Sequence, residues 1–433
     1  MKKTLTGAAI AALAATGAQA GGLDRSGQSV SAIFDEAGTA KLNFGYVIPS
    51  ITGEDIGSGG GDYDVGEAYI QPGITYTNAL KGGFNYAIIL DKPYGADVSY
   101  DDDPTTSNLG GTMADLNSQA LTFVGRYALN ERFSVFAGLG VQSVDAEVAL
   151  NGNAYANAIT TAGVARGFNA LTPSAFPDLD PALLGRALNG DGTAVTEINS
   201  TYTAVNSDVF NNILLPNFGT ARGDFVAGDG YNFEMEKTNR PTYLLGAAYE
   251  IPSIAMRIAG TYRFETEHTA DTTETVAGTV TDGEVEYVTP QSFNLEAQTG
   301  VAPGTLVTLG YRWTEFSAVD LVPERLGSDL VDLDDSHRYT LGIGRQFNEQ
   351  LAGSASISYE PTNDRDTVSP LGPTDGLFGV SLGARYNSGA LSLSGGVNYT
   401  WLGDADAGVA DRAVASFEDN HAVGIGLQAA LTF

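Results

Sequence analysis

The sequence predicts an all-β fold: a 14-stranded antiparallel transmembrane β-barrel with a short N-terminal plug and a long, partly helical external loop. Three observations predict it. Segments of about ten residues alternate apolar and polar side chains, and a period of two sends successive side chains to opposite faces of a strand. One face carries large apolar groups and the other Gly, Ser, Thr and Gln, the reverse of a soluble core. The connections between segments are short and long by turns. The last segment shows the rule: Val423, Ile425, Leu427, Ala429, Leu431 and Phe433 share one face, and Gly424, Gly426, Gln428, Ala430 and Thr432 share the other.

Residues 1–20 stand apart from this pattern. Lys2 and Lys3 give a basic start, Leu5 to Thr16 an apolar stretch, and Ala18-Gln19-Ala20 a small-residue cleavage site, which reads as a secretory signal peptide. Residues 21–40 are too irregular for a strand. They form either a mobile tail or a plug (hatch) folded into the lumen, in which case Ile33, Phe34, Asp35, Glu36 and Ala37 lie on the ligand pathway.

The barrel itself is expected over 41–433. Strands are predicted at 41–51, 68–80, 82–100, 119–129, 132–150, 241–251, 254–268, 290–300, 305–316, 337–347, 350–361, 376–387, 390–402 and 419–433. Short turns, such as Asn130-Glu131 and Asn348-Glu349, alternate with long connections at 52–67, 101–118, 151–240, 269–289, 317–336, 362–375 and 403–418. Short periplasmic turns, long external loops and an even strand number characterise bacterial outer-membrane barrels. Tyr249, Phe264, Tyr287, Trp313, Phe316, Tyr359, Tyr399, Trp401 and Phe417 are candidates for the aromatic girdles at headgroup depth. Arg126, Arg257, Arg263 and Arg312 fall on lumen-facing positions, where each either meets a ligand carboxylate or is braced by a lumen Asp or Glu.

Two irregularities interrupt the pattern. Lys92-Pro93-Tyr94-Gly95 lies inside the third segment. Proline removes a ladder donor, so either Pro93, Tyr94 and Gly95 open a notch in the wall or the strand ends at Leu90. The connection 151–240 carries helix signals. Asp180 caps a helix entered through Pro181 and stopped at Asn189-Gly190, and Ser207 caps a second that Pro216 ends. On the second helix Val209, Phe210, Ile213 and Leu214 share one apolar face, packed as a lid, offered to an incoming ligand, or both.

Composition removes several functions. With 52 acidic against 22 basic residues and a net charge of −30, the chain lacks the basic footprint that nucleic acid requires. It has no cysteine, hence no disulfide framework or thiolate metal site. The acidic loops read as solvated surface, with divalent-cation bridging to lipid headgroups as the alternative. No metal site and no cofactor are expected. An esterase would require a nucleophile within reach of a histidine. No such motif adjoins His268, His337 or His421, so the chain is not expected to be an enzyme.

Several stretches resemble the FadL family of outer-membrane transporters. Pro93-Tyr94-Gly95 is similar to that family's Pro-Phe-Gly kink in the third strand. Thr289-Pro290-Gln291-Ser292-Phe293-Asn294-Leu295, Leu309 to Phe316, and Arg257 to His268 resemble further strand motifs of the family, in the same order and spacing. Where members carry Asn-Pro-Ala in the hatch, this chain has Phe34-Asp35-Glu36-Ala37-Gly38. The resemblance implies a monomeric barrel in the bacterial outer membrane, in contact with its lipid. It further implies a hatch, external loops that catch ligand, and passive uptake of long-chain fatty acids or other hydrophobic small molecules through a lateral opening. The alternative is a general diffusion porin for small hydrophilic solutes.

Overall fold

The computed structural model describes residues 23–57, 59–363 and 365–433, so the expected signal peptide at 1–20 lies outside the described residues. Seventeen hydrogen-bonded segments form one antiparallel sheet, and three strands are each made of two consecutive segments, which leaves fourteen. The first strand, Thr39–Ser50, pairs with the last, His421–Thr432, from Thr39↔Thr432 to Ser50↔His421. That pairing closes the barrel, and closure leaves no edge of unpaired backbone facing lipid. Side chains follow the expected alternation: Val423, Ile425 and Leu427 of the last strand are exposed on the outside, as are Leu121, Leu139, Leu245, Leu309 and Trp401 elsewhere.

Six of the expected girdle residues lie on or near the outer surface, but Tyr287, Phe316 and Phe417 are buried inside. Phe316 packs edge-on against Tyr94, and Phe417 stacks on Tyr63. Phe316 follows the end of a wall segment and Phe417 ends a strand of a small separate sheet, so the phase of the wall strands does not predict which way either side chain points.

The wall is taller on one side than the alternation suggested. The sixth strand starts at Tyr231, and the expected loop 269–289 is instead a hairpin, Thr266–Val276 with Thr279–Thr289, turning at Ala277-Gly278. Its inner face keeps the period, with His268, Ala270, Thr272 and Glu274 buried, but its outer face carries Glu267, Asp271, Glu284 and Glu286. Above the lipid there is no apolar face to read, so the hairpin was invisible to a pattern built on grease. Residues 52–55, 62–64, 405–408 and 413–417 add a small four-stranded sheet at this loop end.

Helices α1 (Gly152–Leu171), α2 (Pro181–Leu188), α3 (Gly192–Thr201) and α4 (Leu215–Ala227) occupy the long connection. Asp180 caps α2, accepting from the Ala182 N–H at 2.9 Å, with Pro181 in the first turn as expected. The second expected helix differs. Asp208, not Ser207, accepts from the Asn211 N–H, and Pro216 opens α4 rather than ending a helix. A π turn at Phe210–Leu214 leads directly into α4, and Pro216 sits where the one passes into the other, just after the Leu215 N–H that bonds back to the Phe210 carbonyl. Val209, Phe210 and Leu214 are buried against Phe168, Leu184 and Ile198, with Ile213 packed beside them. This apolar face is turned into the helical lid.

Between the sixth and seventh strands the backbone ladder lapses above Arg263↔Leu244 and resumes at Thr272↔Met235. His268 bridges that seam: its Nδ1 lies 2.8 Å from Thr238 Oγ1, and its ring stacks on Tyr287. Burial, with Arg240 nearby, pushes its pKa from 6.5 down to about 4. The neutral ring is the folded form, so its contribution to stability is complete above pH 6.5 and declines as the pH falls towards 4. The loss is on the order of 3 kcal/mol. Limited proteolysis of the hairpin is expected to accelerate over that window in the native chain and not in His268→Gln.

Candidate functional site

The third strand is broken where Pro93 lies, into Phe84–Asp91 and Gly95–Ser99. Its ladder with the second strand, Tyr69–Leu80, stops at Ile74↔Leu90. On the other side it stays with the fourth strand, Met113–Ala128, passing from Asp91↔Ala120 to Gly95↔Asn117. Three residues thus face two, a bulge that inverts the phase of everything beyond it. Tyr94 has no ladder partner on the fourth strand, and Ser118 replaces one: its Oγ accepts from the Tyr94 N–H at 2.7 Å and donates to the Tyr94 carbonyl at 2.6 Å.

The chain leading into the second strand meets the third again higher up, through Glu67 N–H to the Asp97 carbonyl and the Gly66↔Val98 bridge. An eyelet therefore remains in the wall between Ile74↔Leu90 and Gly66↔Val98. A proline stands on each margin, Pro72 and Pro93, and each removes a donor that lipid could not satisfy.

The N-terminal segment lies in this eyelet. The Gly95 N–H donates to the Leu23 carbonyl at 2.9 Å and the Arg25 N–H to the Pro93 carbonyl at 2.8 Å, with Asp24 bridged to Tyr94. Successive side chains of an extended segment point to opposite sides. Asp24 pairs with the buried Arg312 guanidinium at 2.5 Å, where Asn294 also accepts at 2.9 Å. Arg25 goes the other way. Its Nε donates to the Gly95 carbonyl and its Nη2 to Asp97, both at 2.9 Å, and the guanidinium lies 3.5 Å from the centre of the Tyr69 ring. A Cβ on Gly95 would lie 3.1 Å from Arg25 Nε, so glycine makes room for this passage. Ser26 Oγ donates to Asp91 at 2.6 Å.

Nearer the turn end, Ser31–Phe34 forms a 3-10 turn packed across the lumen. Ile33 is fully buried among Ala87, Val124, Phe136 and Leu244, and Thr77 Oγ1 donates to the Ala32 carbonyl at 2.7 Å. Phe34 lies between the guanidinium groups of Arg126 and Arg257, at 4.6 and 4.3 Å. Asp35 pairs with Lys41 at 2.5 Å, while Glu36 and Ala37 are exposed.

The four lumen arginines are all held by the protein. Arg126 pairs with Glu250, Arg257 donates to Gln298, Arg263 lies in the field of Asp91, and Arg312 holds Asp24. The structure thus brings the hatch, the kink and the arginines together and leaves the apolar face of residues 209–214 in the lid. The sequence reading did not single out Asp24, Arg25, Tyr69, Asp97 or Ser118. Pro72, inside the alternating Ile70 to Ile74 stretch, was a readable signal of a second broken margin.

On the loop side of the eyelet lies a cavity of about 130 Å³, lined mainly by apolar side chains, among them Leu23, Val98, Leu116, Leu321, Leu330 and Leu371. Tyr69, Gly95 and Arg25 form the part of its lining next to the eyelet. The cavity therefore adjoins a stretch of wall that is not closed by strand pairing.

No curated protein matches the sequence. Among solved structures, a Pseudomonas aeruginosa FadL homologue superposes with a TM-score of 0.64 at 13% identity, over 91% of this chain and 90% of that one. The Pseudomonas putida toluene transporter TodX superposes with a TM-score of 0.59 at 13% identity, over 92% and 91%. For the Ralstonia pickettii toluene transporter TbuX the values are 0.53 and 11%, over 97% of each chain. At these identities the likeness carries the fold. The sequence profile described as outer membrane protein transport protein (OMPP1/FadL/TodX) matches residues 32–433. The chain belongs to this OMPP1/FadL/TodX family of outer-membrane transport proteins.

Proposed function

We propose that the chain is a monomeric channel for passive uptake of small, neutral hydrophobic molecules about the size of one aromatic ring. Ligand enters from the loop end, rests in the cavity above the hatch and leaves sideways through the eyelet into the bilayer. The observation that carries this reading is the cavity's size, lining and position together. At about 130 Å³ it compares with the apolar cavity of about 150 Å³ that is known to accept benzene. An extended long-chain fatty acid is much larger, although each buried CH2 would contribute about 0.8 kcal/mol.

Sideways exit also fits the energetics. Carrying an apolar molecule from a greasy pocket down an aqueous lumen would reverse the desolvation already gained, whereas exit into lipid keeps it out of water. The naming of TodX and TbuX as toluene transporters agrees with a ring-sized ligand.

The test compares initial uptake of toluene and of palmitate by cells expressing the full chain, beside conductance of the purified protein in planar bilayers. Saturable toluene uptake with low conductance supports the proposal. Palmitate uptake without toluene uptake would point to a fatty acid transporter, and large steady conductance to a general porin.

A further inference from the structure

We propose that Asp97 sets the charge selectivity of this passage: by neutralising Arg25 at the eyelet it makes the site refuse carboxylates that would otherwise fit. The inference rests on the cavity being the ligand's resting place. It adds what the cavity excludes and the residue responsible.

Four charged residues line the cavity, and three of them, Glu67, Asp97 and Asp115, are acidic. Arg25 is the fourth, and its side chain is 11% exposed. A lone guanidinium in an apolar cavity would bind an organic carboxylate through parallel N–H···O bonds. Here those donors are engaged. Nη2 is held by Asp97 and Nε by the Gly95 carbonyl, while the π face of Tyr69 covers the flat side. Asp115 stands directly opposite Asp97 in the ladder, so a second carboxylate adjoins the pair. The nearby Lys92 ammonium is turned to Asn117 Oδ1 at 3.1 Å.

An anionic ligand in this cavity would lose its hydration, find the one basic residue among the described residues of the lining already paired, and meet an excess of acidic residues there. A neutral ring of the same size meets none of these penalties. Removing the Asp97 charge reverses the balance. Arg25 becomes a nearly buried cation without its carboxylate, and a ligand carboxylate becomes its natural partner.

Toluene and benzoate share the ring and differ in charge at neutral pH, which makes them the probes. Benzoate binding to the purified full chain is measured by calorimetry, and uptake of both compounds is measured in cells. The variants are Asp97→Asn, Asp97→Asn with Asp115→Asn, and Asp97→Asn with Arg25→Gln. The native chain is expected to show no benzoate binding. Asp97→Asn or its double with Asp115→Asn should bind benzoate and raise the benzoate-to-toluene uptake ratio about tenfold or more. Adding Arg25→Gln should remove that gain.

The proposal is overturned if neither acidic-site variant binds benzoate. It is also overturned if uptake of both probes rises in proportion, because the pair would then be a mechanical latch. Absence of toluene uptake by the native chain would count against the transport reading alone, since the benzoate-binding comparison remains decisive for the role of Asp97.

Discussion

Replacing Asp24 by leucine is expected to lower the stability of the barrel by about 3–5 kcal/mol and to free the N-terminal segment from the eyelet. Arg312 is 8% exposed, and Asp24 is the carboxylate bonded to it, at 2.5 and 3.3 Å. The other bonded partners, Asn294 and Gln28, are neutral, while the nearby Asp91 is engaged by Ser26 and faces Arg263. The substitution therefore leaves a buried guanidinium without its counterion, the costly way to break such a pair.

The same reasoning gives the control. Asp24→Leu combined with Arg312→Leu removes both charges and is expected to recover much of the loss, because an apolar pair of similar volume is often neutral or stabilising. The temperature at which the folded, fast-migrating species disappears on a gel reads out stability. A spin label at residue 26 reads out release of the segment. A single variant as stable as the native chain, with an immobile label, would show that Asp24 does not hold the segment.

Much of the barrel was legible because lipid imposes a rule that composition must obey. Every membrane strand shows apolar side chains outward, so Val423-x-Ile425-x-Leu427 or Leu391-x-Leu393 declares both strand and face. The rule ends where lipid ends. Residues 266–289 continue the wall with Glu267, Asp271 and Glu286 outside, and only the buried face, with His268, Ala270 and Tyr287, keeps a hydrophobic or weakly polar period.

Helix starts were partly legible for a local reason. Asp180-Pro181 satisfies its own donors within three residues, whereas the π turn at Phe210–Leu214 depends on the lid packed around it. The kink at Pro93 was visible as a break, but its meaning lay in partners distant along the chain. Asp24 reaches across to Arg312, Arg25 to Asp97, and Ser118 takes the place of a missing strand neighbour at Tyr94. Nothing local in Leu23 to Ser26 announces a segment that belongs inside a sheet. Such contacts are set by which strands the closed barrel makes adjacent, and that is decided only when the whole ring has formed.

Filling the cavity gives the second large effect. Ala114, on the inner face of the fourth strand, lines it and is 5% exposed. An indole ring at this position would occupy the space assigned to ligand, and Ala114→Trp is expected to reduce toluene uptake at least about tenfold. Overpacking at such a site costs about 1–3 kcal/mol, which a closed barrel held by ladders on every strand should tolerate. Ala137 of the neighbouring fifth strand, Phe133–Leu150, points outward and is exposed, so Ala137→Trp places the same ring against lipid and should leave uptake near the native rate. Initial uptake rates, normalised to the amount of folded barrel in the outer membrane, compare the two. Equal rates would mean that ligand does not pass through this cavity. A fall in Ala137→Trp as large as in Ala114→Trp would mean that the added ring disturbs the wall rather than the passage. The contrast between two alanines on adjacent strands, one facing in and one facing out, thus assigns the path to one side of the wall.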